Sequence, residues 1–229
     1  MKSSLSIIIP AYNEEKTVAS VIKKVLKNKL VSEVIVVNDG SNDNTKFEIK
    51  NLKSKKLKVL NKIRNEGKGA AIRDGIKLVT GKILVIQDAD LEYDPNEYGK
   101  LVKPILDKKA DVVFGSRFLG NDAHRVLYFW HMVGNQFLTL LTNIVTNLNL
   151  TDMETCYKAF TIEVANRLDI NEKRFGFEPE FTVKVAKMGA RIYEVGISYY
   201  GRNYEEGKKI SWKDGIMAIG QIIKHGFSL

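Results

Sequence analysis

Cysteine is nearly missing from this 229-residue chain: Cys156 stands alone. One thiol allows no internal disulfide and no multi-cysteine metal site, which agrees with a reducing cytosol. Long hydrophobic runs are lacking too. The longest strictly apolar run is five residues, 126–130, whereas a membrane-spanning helix needs about 20. The apolar stretch 5–9 is too short for a secretory signal, and Pro10, Asn13, Glu14 and Glu15 end it. There is no internal repeat, low-complexity stretch or evident linker, so one domain over 1–229 is expected. With 44% hydrophobic and 28% charged residues, the composition excludes disordered, collagen-like and coiled-coil classes.

The net charge is +9, from 36 Lys and Arg against 27 Asp and Glu. That balance favours anionic partners: nucleic acid, an acidic membrane surface or phosphorylated small molecules. Much of it is lysine on predicted solvent faces, such as Lys23, Lys24, Lys27 and Lys29. The lysines between Lys46 and Lys62 have only Phe47 as an aromatic among them, which describes a solvated face and not a nucleic-acid groove.

Residues 5–9, 33–37, 58–60, 83–86 and 111–114 are nearly continuous apolar runs, as strands covered on both faces require. Between them, Val18, Val21, Ile22, Val25 and Leu26 follow the spacing of one helix face, and Tyr98, Leu101, Val102, Ile105 and Leu106 repeat it. Asp94, Pro95 and Glu97 predict an N-cap and capping box for the second helix, and Pro104 should kink or shorten it. Strands alternating with helices imply an α/β fold with a Rossmann-like, largely parallel sheet. Polar clusters follow each strand: 10–14, 38–43, 65–69, 88–90 and 115–117. Ligands in such sheets bind beyond the carboxyl ends of the strands, so the five clusters converge on one rim.

The second half reads differently. Residues 127–148 predict a long helix, too polar to span a bilayer and unusually apolar for a surface. It is core, a subunit contact or a helix lying in a membrane interface. Shorter helices follow near 161–168 and from Pro179, with strands at 191–195 and 197–200 and a last helix from Ser211.

Asp88-Ala89-Asp90 carries the chemistry. Two carboxylates just past a buried strand suit Mg²⁺ or Mn²⁺, which also bind diphosphate oxygens and act as Lewis acids on a departing diphosphate. A solvated turn is the plainer alternative. Asp39, at a strand end, can accept hydrogen bonds from a base or ribose. Lys68, between Gly67 and Gly69, can approach phosphates. The run 67–72 lacks both the third glycine of the dinucleotide fingerprint and the Lys-Ser/Thr pair of a P-loop. His124, His131 and His225 show no metal-ligand spacing. His131 and Asn135 lie one turn apart and could share an acceptor phosphate. Glu178, before Pro179, suits a helix N-terminus, with sugar binding as the alternative. Asp152 and Glu154 are candidate general bases or order the turn before Cys156.

The runs 6–15, 36–41, 65–70 and 88–90 resemble family-2 glycosyltransferases of the nucleotide-diphospho-sugar (A-type) fold. Residues 115–118, 151–158, 175–180 and 199–208 narrow the resemblance to dolichyl- or polyprenyl-phosphate sugar synthases. It extends in order from residue 6 to about 215. It implies that Pro10, Tyr12, Glu14, Val37 and Asp39 hold the nucleotide, in a donor half over 1–120. Asp88, Ala89 and Asp90 take the metal and diphosphate, with Glu92 as a further ligand. Arg117, Arg202 and Lys208 contact donor or acceptor phosphates, in part from an acceptor-side half over 121–229. Two departures bear on base preference and metal geometry: Asn38 replaces a common aspartate, and Glu92 a common glutamine.

The expected activity is an inverting transfer of a hexose from GDP-mannose or UDP-glucose to a polyprenyl phosphate, with Asp88, Asp90 and Arg117 at the reacting centre. A saccharide or protein hydroxyl acceptor, with Asp152 as base, is the runner-up, and a non-catalytic nucleotide-sugar-binding module is the third reading. The expected location is cytoplasmic, peripheral at the cytoplasmic face of an anionic membrane, with a membrane protein or a second copy as a further partner.

Overall fold

The computed structural model describes residues 4–120, 125–126, 128–174, 176–203 and 212–227. The five expected strands all form: β1 (Leu5–Ala11), β2 (Val31–Asn38), β3 (Leu57–Asn61), β4 (Ile83–Ile86) and β5 (Val112–Ser116). Ile7 to Ile9 and Val34 to Val37 are fully buried, because helices cover both faces. Helix α1 (Val18–Lys27) inserts Val18, Val21, Ile22 and Val25. Helix α3 (Lys68–Ile76) lies unusually close to the sheet. A Cβ on Gly75 would come 2.7 Å from Ile8 Cγ2, so only glycine allows that approach. A short α2 (Thr45–Lys50) and α4 (Tyr98–Leu106) complete this part.

The sheet has seven strands in the order β3-β2-β1-β4-β6-β5-β7. All pairs are parallel except those of β6 (Lys158–Thr161), which runs antiparallel between β4 and β5. The expected largely parallel sheet forms, with one antiparallel strand, β6, that the local pattern does not mark. The reason is Lys158, which opens β6 and breaks its apolar pattern although it is fully buried. Its ammonium donates to the carbonyls of Met153 and Thr155. Strand β7 (Ile192–Gly196) pairs with β5, so residues from the second half complete the same sheet.

The predicted strand at 197–200 does not form. Its polar groups bond to the β4–α4 connection instead: Ser198 donates twice to Glu97 Oε2, and Tyr200 N–H donates to the Glu92 carbonyl. Glu97 is thereby diverted from the expected capping box, while Asp94 caps the Asn96 N–H as expected. Pro104 shortens α4, which ends two residues later.

Helices α5 (Phe129–Thr146), α6 (Ile162–Arg167), α7 (Phe177–Lys187) and α8 (Trp212–Phe227) form the remainder. Helix α7 starts two residues before Pro179, whose missing N–H costs nothing in a first turn. Leu138 of α5, Met153, and Ala218 and Ile222 of α8 make a small second core. On α5 the outward residues Trp130, Phe137, Leu140 and Ile144 are exposed, as are Ile216, Met217 and Ile223 on α8. Among the described residues, no helix is long and apolar enough to cross a membrane.

Candidate active site

The strand ends enclose a cavity of about 350 Å³. Pro10 reaches it from the end of β1, Tyr12 and Glu14 from just after it, Asp39 after β2, Lys68 from the start of α3, Asp88 to Asp90 after β4, and Arg117 after β5. Arg202 joins them from beyond β7. Of the other candidates, Val37 is packed in the core and forms no wall. His131 and Asn135 lie on α5 and are not among the lining residues, so the structure does not bring them to this cavity. Lys208 and His124 lie outside the described residues.

Gln87, unnoticed in the sequence, steadies the end of β4. Its Oε1 accepts from the Tyr98 and Tyr157 hydroxyls at 2.8 and 2.7 Å, and its amide donates to the Asp88 carbonyl. Beyond it, the Arg202 guanidinium lies 3.2 Å from Asp90, 3.3 Å from Glu14 and 3.4 Å from Glu92. Burial, then Asp88 and Glu92, push the Asp90 carboxyl up to about 8. Burial works against the Arg202 charge, but Asp90 and Glu14 outweigh it and raise its pKa.

The donor set fits a hard divalent cation in part. Asp88 and Asp90 offer carboxylate oxygens on the cavity wall, and a cation would relieve the like-charge crowding at Asp90. Glu92, expected as a further ligand, is engaged elsewhere: the Tyr199 hydroxyl donates to Oε2 at 2.7 Å, and the Arg202 N–H to Oε1 at 2.8 Å. Among the described residues no group of three His, Cys, Asp or Glu is arranged to hold a metal. The chain thus supplies two carboxylates, and Mg²⁺ or Mn²⁺ habitually completes such a shell with phosphate and water.

Asp39 has a role that the sequence did not reveal. Its carboxylate accepts from the Gly67 N–H at 2.6 Å and from the Glu66 N–H, and pairs with the Lys62 ammonium at 3.1 Å. It thereby pins the turn that presents Lys68. Gly67 has φ +97°, and a Cβ there would come 2.3 Å from the Lys173 carbonyl oxygen. Asp39→Ala should cost about 2–3 kcal/mol by stranding these donors, and should raise donor KM more than it lowers kcat. Urea denaturation and donor titration check both, and an unchanged urea midpoint removes the clamp.

Arg117 grips Asp152 through two 2.7 Å bonds, and its backbone N–H donates to the same carboxylate at 3.0 Å. Asp152 is fully buried, so the candidate general base is instead the anchor of Arg117. Glu194 holds the backbone N–H groups of Thr151 and Asp152.

The cavity floor carries more charge. Lys68 Nζ lies 3.0 Å from Asp88 and 2.9 Å from Glu178. Burial opposes that ammonium, but Asp88 and Glu178 help raise its pKa well above the usual value. Burial pushes the Cys156 thiol up, leaving it inert. Burial and then Glu178 push Glu154 up to about 7. Between its unfolded value, 4.5, and about 7, the native state holds a proton that the unfolded chain has lost. Stability therefore falls as pH rises through that window. Glu154→Gln should match the wild type near pH 4 and exceed it at pH 8 by about 1–3 kcal/mol. Thermal melts across that range check the sign, and a pH-independent difference contradicts it.

A family model described as glycosyl transferase family 2 matches residues 6–168. A dolichyl-phosphate beta-glucosyltransferase of Trichomonas vaginalis is 30% identical over 238 residues, covering 96% of this chain and 72% of its own. An undecaprenyl-phosphate mannosyltransferase of Micrococcus luteus is 29% identical over 215 residues, covering 88% and 85%. A crystal structure of glucosyl-3-phosphoglycerate synthase from Mycobacterium tuberculosis, with Mn²⁺, UDP and phosphoglyceric acid, superposes with TM-score 0.76 at 21% identity, over 98% of this chain and 79% of that one. At that identity it shows the shared fold.

Proposed function

This chain belongs to glycosyl transferase family 2, and from that premise we propose that it moves a hexose from a nucleotide-diphospho-sugar to a polyprenyl phosphate with inversion. The observation that carries the reading is the cavity itself, where the Asp88/Asp90 pair faces the cations Lys68, Arg117 and Arg202. Pro10, Tyr12, Glu14 and Asp39 form the nucleotide end of that wall. Asp88 and Asp90 would hold Mg²⁺ or Mn²⁺, which when bound supplies Lewis-acid stabilisation of the departing diphosphate. An acceptor phosphate oxygen forms a bond to the anomeric carbon from the face opposite the diphosphate. The old carbon–oxygen bond breaks, and the nucleoside diphosphate leaves with the electron pair.

A phosphate acceptor is already an anion at neutral pH and needs no base. It needs cations that hold two anions side by side, and Arg117 and Arg202 meet that need. The hydroxyl-acceptor alternative loses its first candidate base, because Arg117 occupies both Asp152 oxygens. The relatives named for dolichyl and undecaprenyl phosphate support a lipid acceptor, and a Methanococcus voltae relative named for UDP-N-acetylglucosamine and dolichyl phosphate supports a uridine donor.

A polyprenyl tail stays in the bilayer, so the protein must reach the surface. The exposed apolar faces of α5 and α8 and the +9 charge support an interfacial seat. Nucleoside diphosphate release should therefore depend on added polyprenyl phosphate, and the protein should bind anionic vesicles in a salt-sensitive manner. Efficient transfer to a soluble sugar, with no vesicle binding at low salt, would decide for the hydroxyl acceptor.

A further inference from the structure

Residues 169–174, in the connection from α6 to α7, press on the Gly67-Lys68-Gly69 turn from outside the cavity. A Cβ on Gly69 would collide with the Glu172 carbonyl oxygen, and one on Gly67 with that of Lys173. The Lys173 carbonyl also accepts from the Ala70 N–H at 3.2 Å, in the first turn of α3. Backbone meets backbone here, with no glycine side chain between them to absorb a shift, so a displaced segment displaces the turn that carries Lys68. The segment is held from behind by two carboxylates. Glu180 of α7 is fully buried and accepts from the Asn171 and Glu172 N–H groups, both at 2.8 Å. The Glu172 side chain is not part of the cavity wall. It reaches the last turn of α8, where its Oε1 accepts from Lys224 Nζ at 2.7 Å and lies 3.2 Å from His225 Nε2. Burial opposes the Glu172 charge, but Lys224 and His225 outweigh it and hold the carboxyl below its usual range.

We propose that Glu172 is a positioning residue for donor binding: it ties the 169–174 segment to the end of α8 and so keeps the Gly67-Lys68-Gly69 turn where Lys68 meets the donor diphosphate. This rests on the nucleotide-sugar reading above and adds a residue outside the cavity that sets how firmly the site grips its donor. An ion pair with a lysine as exposed as Lys224 adds little to stability. What the link supplies is position, because it joins a helix of the second half to the turn at the donor end. Lys68 holds the diphosphate before the reaction and during it, so a misplaced turn weakens binding and leaves the chemical step nearly untouched.

The test measures the affinity of UDP, GDP, UDP-glucose and GDP-mannose by calorimetry with Mn²⁺ present, and donor KM and kcat by nucleoside diphosphate release. Glu172→Ala should weaken the nucleotide and the nucleotide-sugar that the wild type binds by equal factors of about 3- to 30-fold, the range over which residues touching no ligand modulate a site. Donor KM should rise in step, with kcat nearly unchanged. Lys224→Ala should give a smaller loss in the same direction, because His225 stays against Glu172 Oε1. The double variant should lose no more than Glu172→Ala alone, since both changes act through one link. Lys224 is largely exposed, so its variant carries the test even where Glu172→Ala fails to fold. Wild-type affinity in both single variants overturns the proposal, as do losses that add in the double variant, or a fall in kcat with donor affinity intact. A lowered urea midpoint with unchanged affinity would leave Glu172 a structural role and also overturn it. If the wild type binds none of the four compounds, the nucleotide-sugar reading falls, and the positioning role with it.

Discussion

Asp90→Asn should lower turnover by about 10³-fold or more, the scale of losing a preorganised charge at the departing group. The same substitution should leave the folded protein as stable as the wild type or slightly more so. Burial and the charges of Asp88 and Glu92 press on the Asp90 carboxyl, and a neutral amide of the same shape relieves that pressure. Arg202 keeps two of its three partners, Glu14 and Glu92. A purely structural aspartate would show the opposite pattern, a lowered melting midpoint with activity lost only in proportion to unfolding. Turnover within about tenfold of the wild type at saturating Mn²⁺ would remove Asp90 from the reacting centre, because about 1.4 kcal/mol is too little for a metal ligand.

The parts legible in the sequence were those written in local pattern. Strands β1, β2 and β4 are short apolar runs, and buried parallel strands need little else. Each is followed by polar residues, so the rim could be located before any coordinates. Strand β6 was invisible because a buried lysine opens it, and the carbonyls of Met153 and Thr155, with the Phe114 ring, make that burial tolerable. Residues 197–200 misled for the reverse reason. Their β-like composition serves loop contacts to Glu92 and Glu97, partners about a hundred residues away that no local rule could supply.

The site shows the same division. Asp88, Asp90, Lys68 and Arg117 were legible because their neighbours in sequence mark a strand end. What each touches was not. Asp39 as a clamp on Gly67, Asp152 as the anchor of Arg117 and Gln87 as the acceptor for two tyrosines all depend on pairings across 27 or more residues, apart from Tyr98. His131 and Asn135 were grouped by helical spacing alone, which fixes a shared face but not what that face meets.

The Arg117–Asp152 pair yields the largest stability effect. Asp152 is fully buried, and both its oxygens are taken by one guanidinium. Arg117→Ala leaves that carboxylate without its counter-charge and should cost about 3–5 kcal/mol, a large share of the roughly 5–15 kcal/mol that hold a typical domain together. Arg117→Lys should recover only part of it, because a single ammonium cannot reproduce the two-pronged grip. The decisive variant is the double substitution Arg117→Met with Asp152→Leu, which removes both charges and keeps the volume filled. Buried ion pairs exchanged for apolar groups are often neutral or stabilising, so its stability should return to within about 1–3 kcal/mol of the wild type, the remainder being the Arg117 backbone N–H that also donates to Asp152. Its lipid-dependent turnover should stay at least about 10²-fold down, since the lost cation served the phosphates. A double variant that folds normally and turns over at the wild-type rate would show that Arg117 holds the fold and nothing more, and one as unstable as Arg117→Ala would show that the pair's geometry, and not its charge balance, secures the β5 end.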